Sequence, residues 1–414
     1  MQEIKKILIT NASHISLAAT RSLGRKGIEV TSISPEKRSI TFYSRYCKHR
    51  IITPFAPENE GYIEYLEQIV KNEKFDVLLP GGSGLIFTIS KYRDKLSPYT
   101  KIPIANKENI EISRDKSKTL KYAMKFGIPC PKTFFSEDID QSNMREIAQE
   151  IGFPAVIKPD IGTGATGISY ANSLQELEYM YEKTIKEHGS SHIQEYIRGK
   201  KYSGSALFNQ DGLPRRGCVQ QGLRQIPFTG GSQIYVVSVK QSQVLDYTFE
   251  FLKALKWYGI AEIEFIVDDK DKCPKLLDLN PRLYGSVCLP IAAGVDYPYL
   301  LYRLAMDGDV EPDFNYKLGV KCRYLFPNEL RYFFSILTNR RYKHLENPGV
   351  LRAFLNFIQF YEPKLNYFVM SAEDPFPAAV NSLQYIEGFI ERKICRIKNK
   401  IPFLRVEENG RDFL

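Results

Sequence analysis

Residues 260–282 read IAEIEFIVDDKDKCPKLLDLNPR, and the fold assignment depends on this stretch. Two apolar runs, 260–267 and 275–280, flank the polar segment 268–274. Short apolar runs that are separated by a polar turn are typical of a β-hairpin. The pattern therefore predicts two antiparallel strands.

The two strands carry an acidic face. Side chains alternate along a strand, so Glu262 and Glu264 share one face, and Asp278 and Asn280 share one face of the partner strand. A hairpin centred on Asp271 pairs Glu264 with Asp278, with Cβ atoms about 5 Å apart. Two opposed carboxylates repel unless a cation holds them, and Mg²⁺ prefers carboxylate oxygens together with phosphates.

Two further residues extend this face. Asn280 adds a neutral oxygen, and Arg282 is placed where a guanidinium can hold a phosphoryl group with two hydrogen bonds. The sequence predicts a magnesium site here. The alternative is a solvated acidic face on an edge hairpin.

A glycine-rich loop, PDIGTGATG at 159–167, follows the apolar strand 153–158 and precedes the strand 168–170. This strand–loop–strand order argues against a Walker P-loop, which opens a helix. It predicts a flexible flap over phosphates. Lys158 ends the first strand, where an unpaired charge is costly to bury.

The N-terminal residues predict a β-α-β unit, and hence a parallel sheet, from a strand at 4–10, a helix at 14–26 and a strand at 28–33. The turn TNASH lacks the glycines of a dinucleotide-binding loop. A further strand at 75–80 ends in Gly-Gly-Ser-Gly. Gly82 and Ser83 are candidates for a carboxylate-binding turn; a tight turn without a ligand is the equal alternative.

Composition narrows the class of protein. The chain has 414 residues with 57 Lys and Arg against 48 Asp and Glu, a net charge of +9, which leaves nucleic acid, a membrane surface or a small anion as partners. The seven cysteines include no C-x-x-C pair, so a zinc site or a disulfide framework is not expected. No signal-peptide core or spanning apolar run is recognised, which predicts a cytoplasmic location.

These motifs, over residues 4–310, resemble the ATP-grasp superfamily, and within it the carbamoyl-phosphate-synthase-like branch of carboxylate–amine ligases. The resemblance implies an α/β fold with a Rossmann-like N-terminal domain, a two-lobed ATP-grasp domain and a small, mainly helical C-terminal region. The expected bounds are 1–112, 113–325 and 326–414, with a lid lobe at 113–190 and a metal-binding lobe at 191–325.

The resemblance also implies roles for individual residues. Phosphate contacts of ATP would come from Lys116 and Lys158, the flap from Gly162, Gly164 and Gly167, and adenine contacts from Glu195, Tyr196 and Ile197. Glu264, Asp278 and Asn280 would bind one or two Mg²⁺, with Mn²⁺ as an alternative. Arg282, together with Lys158, would stabilise the transferred phosphoryl group.

Two features depart from the pattern of such enzymes. Gly199 is followed by Lys200 and Lys201, where an acidic ribose-binding residue is frequent. The metal-binding residue before Asn280 is Asp278, where Glu is common. The ribose contact is therefore not assigned by the sequence.

The activity implied is the formation of an amide from a small carboxylate and an amine, through an acyl phosphate. The alternatives are carboxylation through carboxyphosphate and an ATP-binding module without catalysis. Arg224 is a candidate contact for an anionic substrate, with a basic surface loop as the equal alternative.

The C-terminal region 326–414 is rich in aromatic and basic residues. Packing of the aromatics in a small helical domain is the favoured interpretation, and contact with anionic lipids or a lipid-linked substrate is the alternative. The basic residues concerned are Arg340, Arg341, Arg352, Arg392, Lys393, Arg396, Lys398 and Lys400. No nucleic-acid-binding motif is recognised, and a homodimer is compatible with the sequence.

Overall fold

The computed structural model describes residues 5–11, 13–162, 164–227, 230–338 and 349–400. The predicted α/β fold class is confirmed, because helices cover three sheets in this part of the chain. Arg340 and Arg341 lie outside the described residues.

The N-terminal domain is built on a parallel sheet. Its elements are β1 Lys6–Thr10, α1 His14–Arg25, β2 Glu29–Ser34, β3 Cys47–Ile52, α2 Gly61–Glu73, β4 Val77–Pro80, α3 Ser83–Lys91, α4 Arg93–Leu96 and α5 Lys107–Arg114. The strand order is β3-β2-β1-β4. The order reverses beside β1, and open α/β sheets bind ligands outside the carboxyl ends of the strands at such a point.

The expected domain boundary at residue 112 falls inside α5. The helix break lies at Asp115, which caps α6 (Lys116–Lys125) by accepting a hydrogen bond from the Lys118 amide at 3.0 Å. An aspartate in this position satisfies an amide that has no partner within the helix, so the new helix begins there.

The next lobe contains a four-stranded sheet of order β5-β8-β6-β7. Its elements are β5 Thr133–Phe134, α7 Met144–Ile151, β6 Ala155–Pro159, β7 Ser169–Ala171, α8 Leu174–His188 and β8 Ser191–Glu195. The expected lobe division at 190/191 separates β8 from β5 and β6, the strands with which it pairs. Strand β8 belongs to this sheet because Ile193 completes the core between Ile157 and Leu177.

The second lobe contains a seven-stranded sheet that carries the predicted hairpin. Its elements are β9 Gly199–Phe208, β10 Pro214–Ile226, β11 Ser232–Ser238, α9 Ser242–Ala254, β12 Gly259–Asp268, β13 Pro274–Asn280, α10 Cys288–Ala293, α11 Tyr297–Asp307, β14 Lys321–Arg323 and β15 Leu365–Tyr367, and the strand order is β13-β12-β9-β10-β11-β14-β15. Gly204 lets α9 approach β9, since a Cβ there would lie 2.0 Å from the Thr248 hydroxyl.

The C-terminal region contains α12 Leu330–Thr338, α13 Val350–Ile358 and α14 Phe376–Lys400. It is not a separate unit, because β15 pairs with β14 at the edge of the seven-stranded sheet. The buried Asp374 also accepts hydrogen bonds from Arg21 (2.8 Å) and Ser44 (2.7 Å) of the N-terminal domain. None of the described helices combines the length and apolar character needed to cross a membrane.

Candidate active site

A cleft of about 480 Å³ brings together residues of the N-terminal domain and of both lobes. The predicted residues that line it are Lys116, Lys158, Gly162, Gly164, Glu264, Asp278, Asn280 and Arg282. A smaller cavity of about 160 Å³ shares Lys158 with the cleft and contains Glu195, Tyr196 and Ile197. The structure thus collects residues from four separate stretches of the sequence.

The hairpin has the predicted register at its acidic positions. Glu264 lies opposite Asp278, and Glu262 lies opposite Asn280. A register shift follows between Glu264 and Phe265. The predicted pairing is confirmed, because the turn length and the alternation of apolar residues together fix the register.

Burial makes this acidic face costly to ionise. It raises the pKa of Glu262 and of Glu264, and the carboxylates act further on each other: Glu264 raises the pKa of Glu262, and Asp278 raises that of Glu264. Lys201 opposes the shift at Glu264. The Asn280 amide donates to the Glu262 carboxylate at 2.8 Å. A bound cation would favour the ionised forms for the same electrostatic reason.

Two predicted lysines face the carboxylates from the other lobe. Lys116 Nζ donates to the Gly162 carbonyl at 2.7 Å and lies 3.7 Å from the Asp278 carboxylate. Lys158 Nζ donates to the Gln194 side chain at 2.5 Å. Burial, and next the charge of Lys201, lower the pKa of Lys158 to about 8. An anionic ligand in the cleft would offset that cost.

The glycine-rich loop joins β6 to β7 as an antiparallel hairpin, as the strand–loop–strand pattern indicates. Gly164 (φ 63°) and Gly167 (φ 75°) occupy the left-handed region. At Gly167 a Cβ would also lie 2.6 Å from the Pro159 ring, so a side chain has no room. Gly162 and Gly164 line the cleft, and Gly167 closes the base of the loop.

Asp160 anchors the loop and was not identified from the sequence. It accepts hydrogen bonds from Ser117 and Ser190, both at 2.5 Å, and its carboxylate lies 2.8 Å from His192 Nδ1. Its backbone carbonyl also accepts from the Lys116 amide. The only sequence signal is the acidic residue that follows Lys158 and Pro159.

The predicted hinge residues line the smaller cavity, with apolar side chains around them. Glu195 Oε1 accepts from the Lys132 amide at 2.7 Å, and the Glu195 amide donates to the Lys132 carbonyl at 2.9 Å. The surrounding residues include Val156, Ile168, Ile266 and Leu277. A flat apolar ligand with polar edges fits this combination.

Lys201 lines both cavities and was singled out from the sequence only as a departure from a pattern. Strand β9 pairs with β12 so that Lys201 lies opposite Ile266 and Ser203 lies opposite Glu264. The lysine therefore shares the face of the acidic residues. Burial lowers its pKa, whereas Glu264 and Asp278 raise it.

Arg282 lies at the end of the hairpin beside the cleft. One of its terminal nitrogens donates to the Asn280 side chain at 3.0 Å and the other to the Leu283 carbonyl at 3.0 Å. Burial lowers the pKa of the guanidinium, and Glu262 raises it. The group is held in place and remains a cation, because an arginine keeps its charge in proteins.

Arg224 is not part of this site. Its guanidinium donates to the Glu329 carboxylate at 2.7 Å and lies 4.3 Å from the centre of the Tyr235 ring. The hypothesis that it binds a substrate is not supported, since a buried carboxylate already neutralises it. No signal in the sequence connects Arg224 with Glu329.

Gly82 and Ser83 lie at the start of α3, with Gly82 as its N-cap residue. A Cβ at Gly82 would lie 2.4 Å from the Asn11 side-chain nitrogen, so close packing accounts for this glycine. Gly84 and Phe87, further along α3, line the cleft. The helix therefore borders the site, and a ligand contact at Gly82 or Ser83 stays a hypothesis.

The donor set fits a hard cation that is shared with a ligand. Glu264, Asp278 and Asn280 offer oxygen atoms on one face of the hairpin. Within the described ranges, no group of three or more His, Cys, Asp or Glu side chains is arranged to hold a metal. Mg²⁺ in proteins is usually bound by one or two carboxylates with water and phosphate oxygens, which matches this set.

Comparison with known families and proteins assigns the central part of the chain. Residues 113–286 match the family model described as an ATP-grasp domain. The large chain of carbamoyl phosphate synthase from Thermoanaerobacter pseudethanolicus is 28% identical over 223 residues, which are 51% of this chain and 20% of that protein. Pyruvate carboxylase from Staphylococcus aureus is 22% identical over 298 residues, or 68% and 26% of the two chains.

Solved structures show the same fold. Biotin carboxylase from Campylobacter jejuni superimposes with a TM-score of 0.65 at 20% identity, covering 77% of this chain and 74% of that one. N5-carboxyaminoimidazole synthetase from Staphylococcus aureus gives a TM-score of 0.61 at 15% identity, covering 77% and 80%. The chain spans about a fifth to a quarter of the curated relatives above. The similarity of these relatives to this chain therefore covers one part of much longer proteins.

Proposed function

Since the chain is a member of the ATP-grasp superfamily, we propose that it is an ATP-dependent ligase that joins a small carboxylate to an amine. The observation that carries the proposal is the single cleft in which two opposed carboxylates, Glu264 and Asp278, face lysines of both lobes. The smaller apolar cavity beside it accommodates an adenine ring, and Glu195, Tyr196 and Ile197 border that cavity.

The residues of the cleft have different roles according to their positions. Lys158 and Lys201 line both cavities and Lys116 lines the cleft, where the phosphates of ATP would extend. The loop with Gly162 and Gly164 covers the phosphates and excludes water. Glu264, Asp278 and Asn280 would hold Mg²⁺, or Mn²⁺, which neutralises phosphate charge.

The reaction needs no covalent enzyme intermediate. A substrate carboxylate oxygen attacks the γ-phosphorus, the bond to the β-phosphate oxygen breaks, and ADP leaves with that electron pair. The amine nitrogen then attacks the acyl carbon, and phosphate departs while the amine loses a proton. Lys158 and Arg282 stabilise the charge that develops on the transferred group, as positioned cations do in phosphoryl transfer.

The test is ADP release in a screen of carboxylic acids crossed with amines. Release that needs one acid and one amine supports the proposal. Release that needs bicarbonate without an amine assigns the alternative, carboxylation through carboxyphosphate. ATP binding without ADP release for any pair of acid and amine assigns a binding module.

Free thiols at Cys47, Cys130, Cys218, Cys273, Cys288 and Cys322 are consistent with a cytoplasmic enzyme.

Lys201→Gln is expected to weaken ADP binding by about tenfold or more, because a charged hydrogen bond to phosphate contributes roughly 1.5–3 kcal/mol. Calorimetric titration measures the dissociation constant. Lys200→Gln is the matched control, since Lys200 is the exposed neighbour on the opposite face of the same strand. Equal effects of the two substitutions contradict a phosphate contact at Lys201.

ADP affinity is expected to fall as the pH rises above 8. The pKa of Lys158 is lowered to about 8, so the lysine is charged below that pH and loses its proton above it. Phosphate needs the charged form, so affinity falls by up to tenfold per pH unit and binding takes up a proton at alkaline pH. Calorimetry in two buffers of different ionisation enthalpy measures this uptake. An unchanged uptake in Lys158→Met contradicts the assignment.

A further inference from the structure

The outer face of α13 is apolar and exposed. Val350, Leu351, Phe354, Leu355 and Ile358 follow the spacing of one helix face, and Leu351 is 72% exposed and Leu355 52% exposed. On the opposite face, Ala353 is buried. The favoured expectation, that the C-terminal aromatic residues pack in a small helical domain, does not account for this face, where Phe354 is the one aromatic residue of the five.

This helix is held firmly by the seven-stranded sheet. The fully buried Arg323 donates to the carbonyls of Asn356 (2.7 Å) and Phe357 (3.1 Å) at the end of α13. It also donates to the Glu329 carboxylate. Carbonyls at a helix end lack partners within the helix, so a buried cation stabilises them. The exposed apolar face thus belongs to an anchored element.

The segment that carries this face is basic in its sequence. The described residues of 330–361 include the basic Arg331 and Arg352 and no acidic residue, a charge of +2, and 339–348, which lie outside the described residues, add three basic residues and one acidic residue. Glu329 and Glu362 flank the segment. Glu329 is neutralised by Arg224 and Arg323, and Glu362 is neutralised by Lys321.

A second helix repeats the combination. In α14 the exposed residues Leu383, Ile386, Ile390 and Ile394 recur at helical spacing. Arg392 and Lys393 lie within the same stretch beside Glu391, and all three are exposed. Apolar stripes beside basic residues thus occur twice in the C-terminal region.

We propose that α13, together with the basic segment 330–361 that contains it, docks this protein on a membrane surface rich in anionic lipids. An amphipathic helix with a basic border lies in the interface with its apolar face in the acyl boundary. Lysine and arginine side chains near an anionic surface add an electrostatic attraction, which salt screens. A second copy of the chain fits less well, because α13 carries the exposed Arg352 and no acidic residue, so a symmetric contact between two copies of this helix offers no opposite charge. The proposal is independent of the ligase activity.

The test is flotation of the full chain with phosphatidylcholine vesicles, with and without phosphatidylglycerol. We expect the protein to float with the anionic vesicles and to be released at raised ionic strength. Leu351→Glu/Leu355→Glu should weaken binding by at least about tenfold, because two leucine side chains no longer enter the acyl boundary. Turnover of the soluble protein should not change.

The matched control is Tyr179→Glu/Ile185→Glu on α8, which makes the same change in charge at exposed apolar positions of another helix. It should float like the wild type. The proposal is overturned if the wild type stays with the bottom fraction, or if both double variants float equally. Size-exclusion light scattering tests for a dimer. If the wild type is a dimer that does not bind vesicles, and Leu351→Glu/Leu355→Glu abolishes the dimer, the face is assigned to a second copy and the membrane proposal is overturned.

Discussion

Asp278→Asn is expected to lower turnover in ADP release by about a hundredfold or more, which corresponds to about 2.7 kcal/mol of transition-state stabilisation. Asparagine keeps the size of the side chain and removes its charge. Of the opposed pair, only the Glu264 carboxylate then remains to bind a cation. Lys116, 3.7 Å from the Asp278 carboxylate, also loses its counter-charge.

The measurement is steady-state ADP release at saturating Mg²⁺, with the melting temperature recorded alongside. Asp269→Asn is the control, because Asp269 lies in the turn of the same hairpin, 54% exposed, and pairs only with the surface residue Lys272 at 3.8 Å among the described residues. It should retain activity. Near-normal turnover of Asp278→Asn would refute the metal assignment.

Lys158→Ala is expected to weaken ADP binding by about 30-fold or more, or about 2 kcal/mol, because it removes a buried charged donor from the centre of the site. Lys158 lines both the cleft and the smaller cavity. The substitution of Lys158 is therefore expected to affect contacts with both the base and the phosphates of a nucleotide.

Stability separates this prediction from a purely structural role. Burial depresses the pKa of Lys158, so the charged lysine costs stability at neutral pH, and its removal should preserve or raise the melting temperature. Loss of affinity without loss of stability marks a binding residue. Lys186→Ala, at an exposed position of α8, is the control. An unchanged ADP affinity in Lys158→Ala would remove the lysine from the site.

Much of the site follows from patterns of short range. The apolar alternation in 260–282 determined which acidic residues meet, and the strand–loop–strand order around 159–167 determined the shape of the flap. The positions at which domains and lobes meet depend on contacts of longer range. Asp115 ends α5 by capping the next helix, and β8 joins the first lobe through core packing. Neither effect is visible in composition.

Strands β9, β10 and β11 were not predicted. Glycines interrupt the apolar patterns of β9 and β10, and at Gly204 the reason is the close approach of α9, which no local pattern contains. Lys201 was consequently noted only as a departure, although the pairing of β9 with β12 sets it on the acidic face. Asp160 was missed because its partners lie in two other segments, at Ser117 and at Ser190 and His192.

The sequence by itself determined the α/β class, the hairpin register and the residue types that meet at its acidic face, because strand alternation and short turns act over neighbouring residues. Tertiary structure alone decided which distant groups join or leave that face. It brought Lys201 to the carboxylates, drew Arg224 away to Glu329, and left the apolar face of α13 exposed. The physical reason is that the pairing of distant strands and the neutralisation of buried charges depend on packing across the whole chain, which a local pattern does not encode.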